Sequence, residues 1–119
     1  MPVSKEEQDF VDYVLGLMFA LGPVTSKRMF GGHGIFLEGL MFGIISEREL
    51  YLKVDQLSLE EFESAGSLAF TYNKQGKPAK LNYYQAPEEA MDDPDVMLHW
   101  ANLAYGAALR NVKKQYPKG

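Results

Sequence analysis

The chain has 119 residues, 46% hydrophobic and 24% charged, which is the balance of one soluble globular domain spanning residues 1–119. It contains no cysteine, and this excludes a disulfide framework, a thiolate nucleophile and a cysteine-ligated zinc site. Its 12 basic and 16 acidic residues give a formal net charge of −4, which disfavours unaided binding to duplex DNA.

The most apolar run covers residues 14–21 and is far shorter than the ~20 residues that span a bilayer. Acidic residues precede it, whereas a signal peptide begins with basic ones. We therefore interpret the run as the buried half of a helix and expect a cytoplasmic protein.

The first predicted element is a helix over residues 4–21. Ser4 and Glu7 have the spacing of a capping box, and apolar residues then recur at helical intervals. Gly22 and Pro23 end the pattern, because glycine accepts the left-handed cap and proline cannot continue a helix.

A run of alternating residues follows and predicts an antiparallel meander. Its strands cover residues 35–37, 40–45 and 50–54, and a further strand is an option over residues 25–30. Glu38-Gly39 is a two-residue turn signal, and the polar residues 47–49 mark the next turn. Both faces of residues 40–45 are apolar, so we expect that strand to be central and covered on both sides.

The second half predicts a short helix, a hairpin and a long helix. Ser58 is the expected N-cap of the short helix, with Glu61 at the capping-box position and Gly66 at its end. Asp93 and Pro94 supply the N-cap and first residue of the last helix. The intervening segments are a strand over residues 68–73, a loop over 73–78, a strand from 81 and a helical turn near 87–92. The fold class is therefore α+β, with a mostly antiparallel sheet of five or six strands and packed helices.

The most unusual stretch is Gly31-Gly32-His33-Gly34. Glycine-rich turns can hold a phosphate with backbone N–H groups, but Leu37 stands where a dinucleotide motif needs its third glycine. The favoured interpretation is a bulge or tight corner. His33 and His99 lack metal-ligand spacing, and we interpret His33 as an ordinary loop histidine.

The charge is unevenly distributed. No acidic residue occurs between Ser64 and Gln85, a segment that carries basic and aromatic side chains. Basic residues with aromatics can grip single strands or nucleotides, although exposed lysines also simply solubilise a hairpin. Lys27 and Arg28 would extend a positive face if the first strand lies nearby. The residues of this candidate surface are Tyr72, Lys74, Lys77, Lys80 and Tyr84.

Several blocks resemble one known family. Residues 28–35 read RMFGGHGI, residues 39–43 GLMFG and residues 50–55 LYLKVD. The likeness continues through residues 70–72, Gly76-Lys77, Tyr83-Tyr84 and the helix of Trp100, so it covers nearly the whole chain. These blocks resemble the TfoX/Sxy amino-terminal-domain family.

The resemblance implies a regulator of natural competence, meaning DNA uptake and transformation in bacteria. It implies a protein partner, a transcription regulator of the cyclic-AMP receptor type, with DNA contacted only indirectly. A fold similar to the secretion-chaperone-like arrangement is implied, with no catalytic residues and no cofactor. Full-length competence regulators of this family carry a second, carboxy-terminal helical domain. This chain matches only the first domain and is expected to be a stand-alone single-domain member.

Three hypotheses stay open. The first is a non-enzymatic protein-interaction domain, for which a homodimer is also an option, and whose candidate contacts include Lys27, Arg28 and residues 31–34. The second is direct nucleic-acid or nucleotide binding through the hairpin around residues 70–84. The third is an enzyme with a site near residues 31–34, disfavoured because no nucleophile–base pair is visible.

Overall fold

This computed structural model describes residues 4–29 and 31–115, and for residues 72–74, 78–80 and 114–115 it describes the backbone alone. Within these residues there are three α-helices, six strands and two short 3₁₀ turns (Phe19–Leu21 and Glu88–Met91). In chain order they are α1 (Lys5–Leu17), β1 (Thr25–Met29), β2 (Gly32–Leu37), β3 (Leu40–Ser46), β4 (Glu49–Lys53), α2 (Leu59–Ser64), β5 (Ala69–Lys74), β6 (Lys77–Gln85) and α3 (Pro94–Gln115). The α+β prediction is confirmed.

Helix α1 begins where its capping signal predicts. The Ser4 hydroxyl accepts a hydrogen bond from the Glu7 N–H at 3.1 Å, which satisfies one of the unpaired donors of the first turn. The helix ends at Leu17 rather than at residue 21, because the chain tightens into the 3₁₀ turn before Gly22 turns it away. Val11, Val14 and Leu17 form the buried face.

The six strands form one antiparallel sheet in the order β1-β2-β3-β4-β6-β5. The optional strand over residues 25–30 is present as β1, and its last residue, Phe30, lies outside the described residues. The expected loop over residues 73–78 is wrong, since β5 and β6 are joined by a two-residue turn at Gln75-Gly76. Strand β3 is central, as predicted.

One face of the sheet is covered by the helices and forms the core. The small buried residues of α3 let the helix approach the sheet closely: Ala101, Ala104, Ala107 and Ala108. Phe42 meets the Tyr105 ring edge-on at 5.7 Å. The buried cluster joins side chains from all three helices to residues of β2, β3, β4 and β6: Val11, Val14, Leu17, Phe62, Met97, Trp100, Ala101, Ala104, Ala108, Ile35, Phe42, Ile45, Leu50, Leu52 and Tyr84. We call this side the covered face.

The opposite side we call the open face. No helix among the described residues packs on it, and none of its side chains belongs to the buried cluster. The expectation that β3 is covered on both sides is therefore wrong, although its outward Met41 and Ile44 are only half exposed. Because side chains alternate along a strand, every second residue of the sheet points to this face.

Candidate interaction surface

The glycine-rich stretch is part of the sheet rather than an open loop. Gly31 has φ +76° and makes the turn between β1 and β2, whereas Gly32, His33 and Gly34 are buried residues of β2. The Cβ of an alanine at Gly32 would overlap the carbonyl oxygen of Ile45 on the neighbouring strand. The interpretation as a tight corner holds at Gly31, and close packing explains Gly32.

His33 lies on the covered face and is 4% exposed, so its interpretation as a loop histidine is wrong. Its Nδ1 lies 3.6 Å from Glu7 Oε2, too far for a hydrogen bond, and it has no hydrogen-bond partner among the described residues. The imidazole thus serves as packing between β2 and the first turn of α1.

The two groups of basic residues singled out in the sequence do not meet, although Lys74 and Lys77 are register partners within the hairpin. Lys27 and Arg28 are on β1, while Lys77 is exposed beside the turn between β5 and β6. Strands β1 and β6 are four strand spacings apart in the sheet, which is about 19 Å at the usual spacing. Tyr84 is 8% exposed and packs on the covered face, 6.5 Å from the Phe62 ring. The side chains of Tyr72, Lys74 and Lys80 lie outside the described residues.

The pairing register shows which residues of the open face are neighbours on adjacent strands. Three rows of side chains run across it, perpendicular to the strands. We number these rows 1 to 3. Row 1 contains Met29, Gly32, Ser46 and Glu49; row 2 contains Lys27, Gly34, Ile44, Tyr51 and Gln85. Row 3 lies beyond a register shift in the β2–β3 pairing and contains the partners Thr25, Phe36 and Met41, followed by the partners Lys53 and Tyr83.

Apolar and aromatic groups dominate the middle of this face. The Tyr51 ring meets Phe70 of β5 edge-on at 4.8 Å. A Cβ at Gly34 would lie 2.8 Å from Met41 Sδ, 2.9 Å from the Phe36 ring and 3.0 Å from Met29 Sδ, so two methionine side chains and an aromatic ring fold over this glycine. The result is a half-buried apolar surface with two methionines, which adapt readily to a partner's shape.

Electrostatics on the open face reflect partial burial. The Lys53 ammonium lies 5.0 Å from the centroid of the Tyr83 ring, and burial lowers the pKa of Lys53. Burial raises the pKa of Tyr83 to about 12. The pKa of Tyr51 is raised first by burial and then by the nearby charge of Glu49. Glu49, Tyr51 and Lys53 therefore share one environment along β4.

A second feature, which the sequence reasoning missed, is an ion pair at the wall of a groove of about 750 Å³. Arg110 of α3 donates from Nε and Nη2 to the two carboxylate oxygens of Asp55, the Nη2 bond being 2.9 Å long. Gly106 leaves the guanidinium room to lie back along α3. Asp55 ends the LYLKVD block, but its partner is 55 residues away and no local spacing reveals it.

Asp55 also caps the start of α2. Its carboxylate accepts from the N–H groups of Leu57 and Ser58, and the Ser58 hydroxyl accepts from the Asp55 N–H. The prediction that Ser58 caps α2 through its side chain is therefore wrong, because that hydroxyl turns back to Asp55. The Arg110 hydrogen bond is the main cause of the lowered pKa of Asp55.

We expect Asp55→Asn to lower the free energy of unfolding by about 1 kcal/mol at pH 7, since a partly exposed pair contributes little more. Because the pKa of Asp55 is lower in the folded than in the unfolded chain, its carboxylate stabilises the fold at pH values above the unfolded pKa, near 4. This stabilisation is lost as the pH falls through the folded-state pKa. The difference between variant and native chain should thus shrink progressively as the pH falls below about 4 in urea titrations. Asp9→Asn, at an exposed site on α1, is the matched control. A difference that stays constant as the pH is lowered would show that the charge is not its source.

Among the described residues, no cluster of three or more His, Cys, Asp or Glu side chains could hold a metal ion. Within the same part of the chain, no helix is long and apolar enough to cross a membrane. What the open face offers chemically is contact: a broad apolar surface with charged groups at defined positions.

Comparison with known proteins gives a consistent result. The sequence model of the TfoX N-terminal domain matches residues 16–108. Protein Sxy of Escherichia coli (strain K12) is 26% identical over 90 residues, which is 76% of this chain and 43% of that protein. DNA transformation protein TfoX1 of Aliivibrio fischeri (strain ATCC 700601 / ES114) is 30% identical over 86 residues, 72% of this chain and 39% of that protein. The chain spans about two fifths of the length of these relatives.

Proposed function

Since the chain belongs to the TfoX N-terminal domain family, we propose that it is a non-enzymatic regulatory domain that acts through contact with another protein. The process is the transcriptional control of natural competence in the cytoplasm, and the partner is a transcription regulator of the cyclic-AMP receptor type. The observation that carries the proposal is the family match over residues 16–108, supported by a relative named for DNA transformation.

The charge distribution supports contact with protein rather than with duplex DNA. The net charge is −4, and most acidic residues lie in the helical segments. Lys27 and Arg28 are separated from Lys77 by four strand spacings of the sheet. A phosphate backbone is bound by clustered Lys and Arg, which this arrangement does not provide among the described residues.

The test measures binding of the partner regulator to a fluorescent duplex that carries a competence promoter. We expect the chain to tighten binding by the regulator and to leave the duplex unbound when added alone. The change Lys74→Glu/Lys77→Glu/Lys80→Glu should preserve this effect. Salt-sensitive duplex binding by the chain alone, abolished by the triple change, would instead establish direct nucleic-acid binding through the hairpin.

The cellular counterpart is a deletion strain scored for uptake of a marked DNA fragment. Transformation should be lost and then restored by the native gene and by the triple-lysine variant. Unchanged transformation in the deletion strain would contradict a role in competence.

A further inference from the structure

The open face is complementary to itself. Rows 1 and 3 lie on either side of row 2, so each strand from β1 to β4 carries one member of each outer row. On every one of these strands the two members differ in size or are opposite in charge. The pairs are Met29 with Thr25 on β1, Gly32 with Phe36 on β2, Ser46 with Met41 on β3, and Glu49 with Lys53 on β4.

A two-fold axis laid along row 2 would bring these pairs together. Such an axis turns a second sheet over onto the first and exchanges rows 1 and 3 on each strand, which is the geometry of an isologous contact. From this match we propose that the open face is the interface of a homodimer, with the axis along row 2.

In this arrangement bulky groups meet small ones. Phe36 of one copy faces the partner's Gly32, which has no side chain, and Met41 faces the partner's Ser46. Along the axis, Ile44 and Tyr51 pack against their own copies, as in the core of a sheet sandwich. Met29 and Met41, folded over Gly34, adjust to the fit.

The charges on β4 are satisfied by the partner. Lys53 has no carboxylate within 4.0 Å among the described residues, and neither Lys53 nor Glu49 forms an ion pair there. Two Glu49–Lys53 contacts form across the axis. Lys27 meets its own copy only at the exposed sheet edge, across the ~10 Å between packed sheets, where physiological salt screens the repulsion.

The available area is sufficient for a dimer of moderate affinity. Six strands at the usual spacing, each about five residues long, give a flat footprint of about 500 Å² per copy. Two copies bury about 1,000 Å² of flat area, which reaches the lower limit of specific interfaces. The uneven surface of the side chains adds to this area. We therefore expect a dissociation constant in the micromolar range.

The first test is sedimentation of the full chain from about 1 µM to about 500 µM, a range that brackets such a constant. The native chain should pass from monomer to dimer. Glu49→Lys and Lys53→Glu should each weaken association about tenfold, because two attractive contacts become repulsive. The double change, Glu49→Lys with Lys53→Glu, should restore it. Glu63→Lys, the same charge change on α2, is the control.

The second test fixes the register. A cysteine at Ile44 lies on the axis, so Ile44→Cys should be joined to its own copy by a short bismaleimide, since the chain has no other cysteine. Leu57→Cys, 76% exposed and off the open face, should not. Circular dichroism confirms that each variant is folded.

A monomer at all concentrations overturns the proposal, and so does a dimer that Glu49→Lys leaves unchanged. A double change that fails to regain affinity, or equal cross-linking at Leu57→Cys, would also overturn the proposed axis. None of these outcomes depends on a role in competence, so the dimer can fail or stand independently of the proposed function.

Discussion

Trp100→Ala is expected to lower the free energy of unfolding by about 4 kcal/mol, the middle of the range for a buried tryptophan. Trp100 is 9% exposed and meets the Phe62 ring edge-on at 4.8 Å. This contact joins α3 to α2, and Phe62 in turn packs near Tyr84 of β6. Removing the indole therefore leaves a cavity where two helices and the sheet converge.

A domain of this size has a total stability of roughly 5–15 kcal/mol, so the variant should be close to unfolding at 37 °C. Urea titration followed by far-ultraviolet circular dichroism measures the effect, because the only tryptophan is lost as a fluorescent probe. Leu109→Ala, at a 47% exposed position of the same helix, should cost less than 1 kcal/mol. Equal losses for the two variants would mean that Trp100 does not occupy the core.

Elements with local signals were predictable from the sequence. Asp93 accepts hydrogen bonds from the N–H groups of Asp95 and Val96, as its position before Pro94 predicts. Gly66 ends α2 with φ +80°, and Glu38-Gly39 forms the expected hairpin turn with both φ values positive. Each of these signals depends on residues only a few positions apart in the sequence. Such local contacts form without help from the tertiary structure.

The bounds of a turn that contains no glycine are harder to predict from the sequence. Glu47 and Arg48 both have positive φ, which costs energy for residues with side chains. Strand pairing on either side supplies that energy, and the pairing is a tertiary effect. The polar pattern therefore places Glu49 in the turn, whereas in the structure it begins β4 and pairs with Ser46.

The candidate surface depended on strand order, which spacing does not reveal. Alternation assigned Met41 and Ile44 to one side of their strand but could not show that α1, α2 and α3 would all pack on the other. Likewise, Lys27 and Lys77 lie far apart because β6 pairs with β4 and is therefore four positions along the sheet from β1. Long-range pairing decides both features.

Gly32→Ala and Gly34→Ala form a contrast two residues apart on β2. We expect Gly32→Ala to lower the free energy of unfolding by about 3 kcal/mol, the upper part of the range for overpacking. Its methyl group would overlap the backbone oxygen of Ile45, and relief requires β2 and β3 to separate. Gly34→Ala should cost less than 1 kcal/mol, because it meets no backbone atom and two of its three nearest neighbours are flexible methionine tips that can turn aside.

Gly31→Ala separates packing from backbone freedom. Gly31 has φ +76° and nothing within 4 Å of an added Cβ, so only the left-handed conformation opposes alanine, at about 1–2 kcal/mol. Urea titrations of the three variants should therefore rank the losses as Gly32, then Gly31, then Gly34. A largest loss at Gly31 would mean that positive φ, rather than contact with β3, is what this stretch requires of glycine. Equal and small losses at all three would leave its glycines without a structural role and would favour ligand binding there.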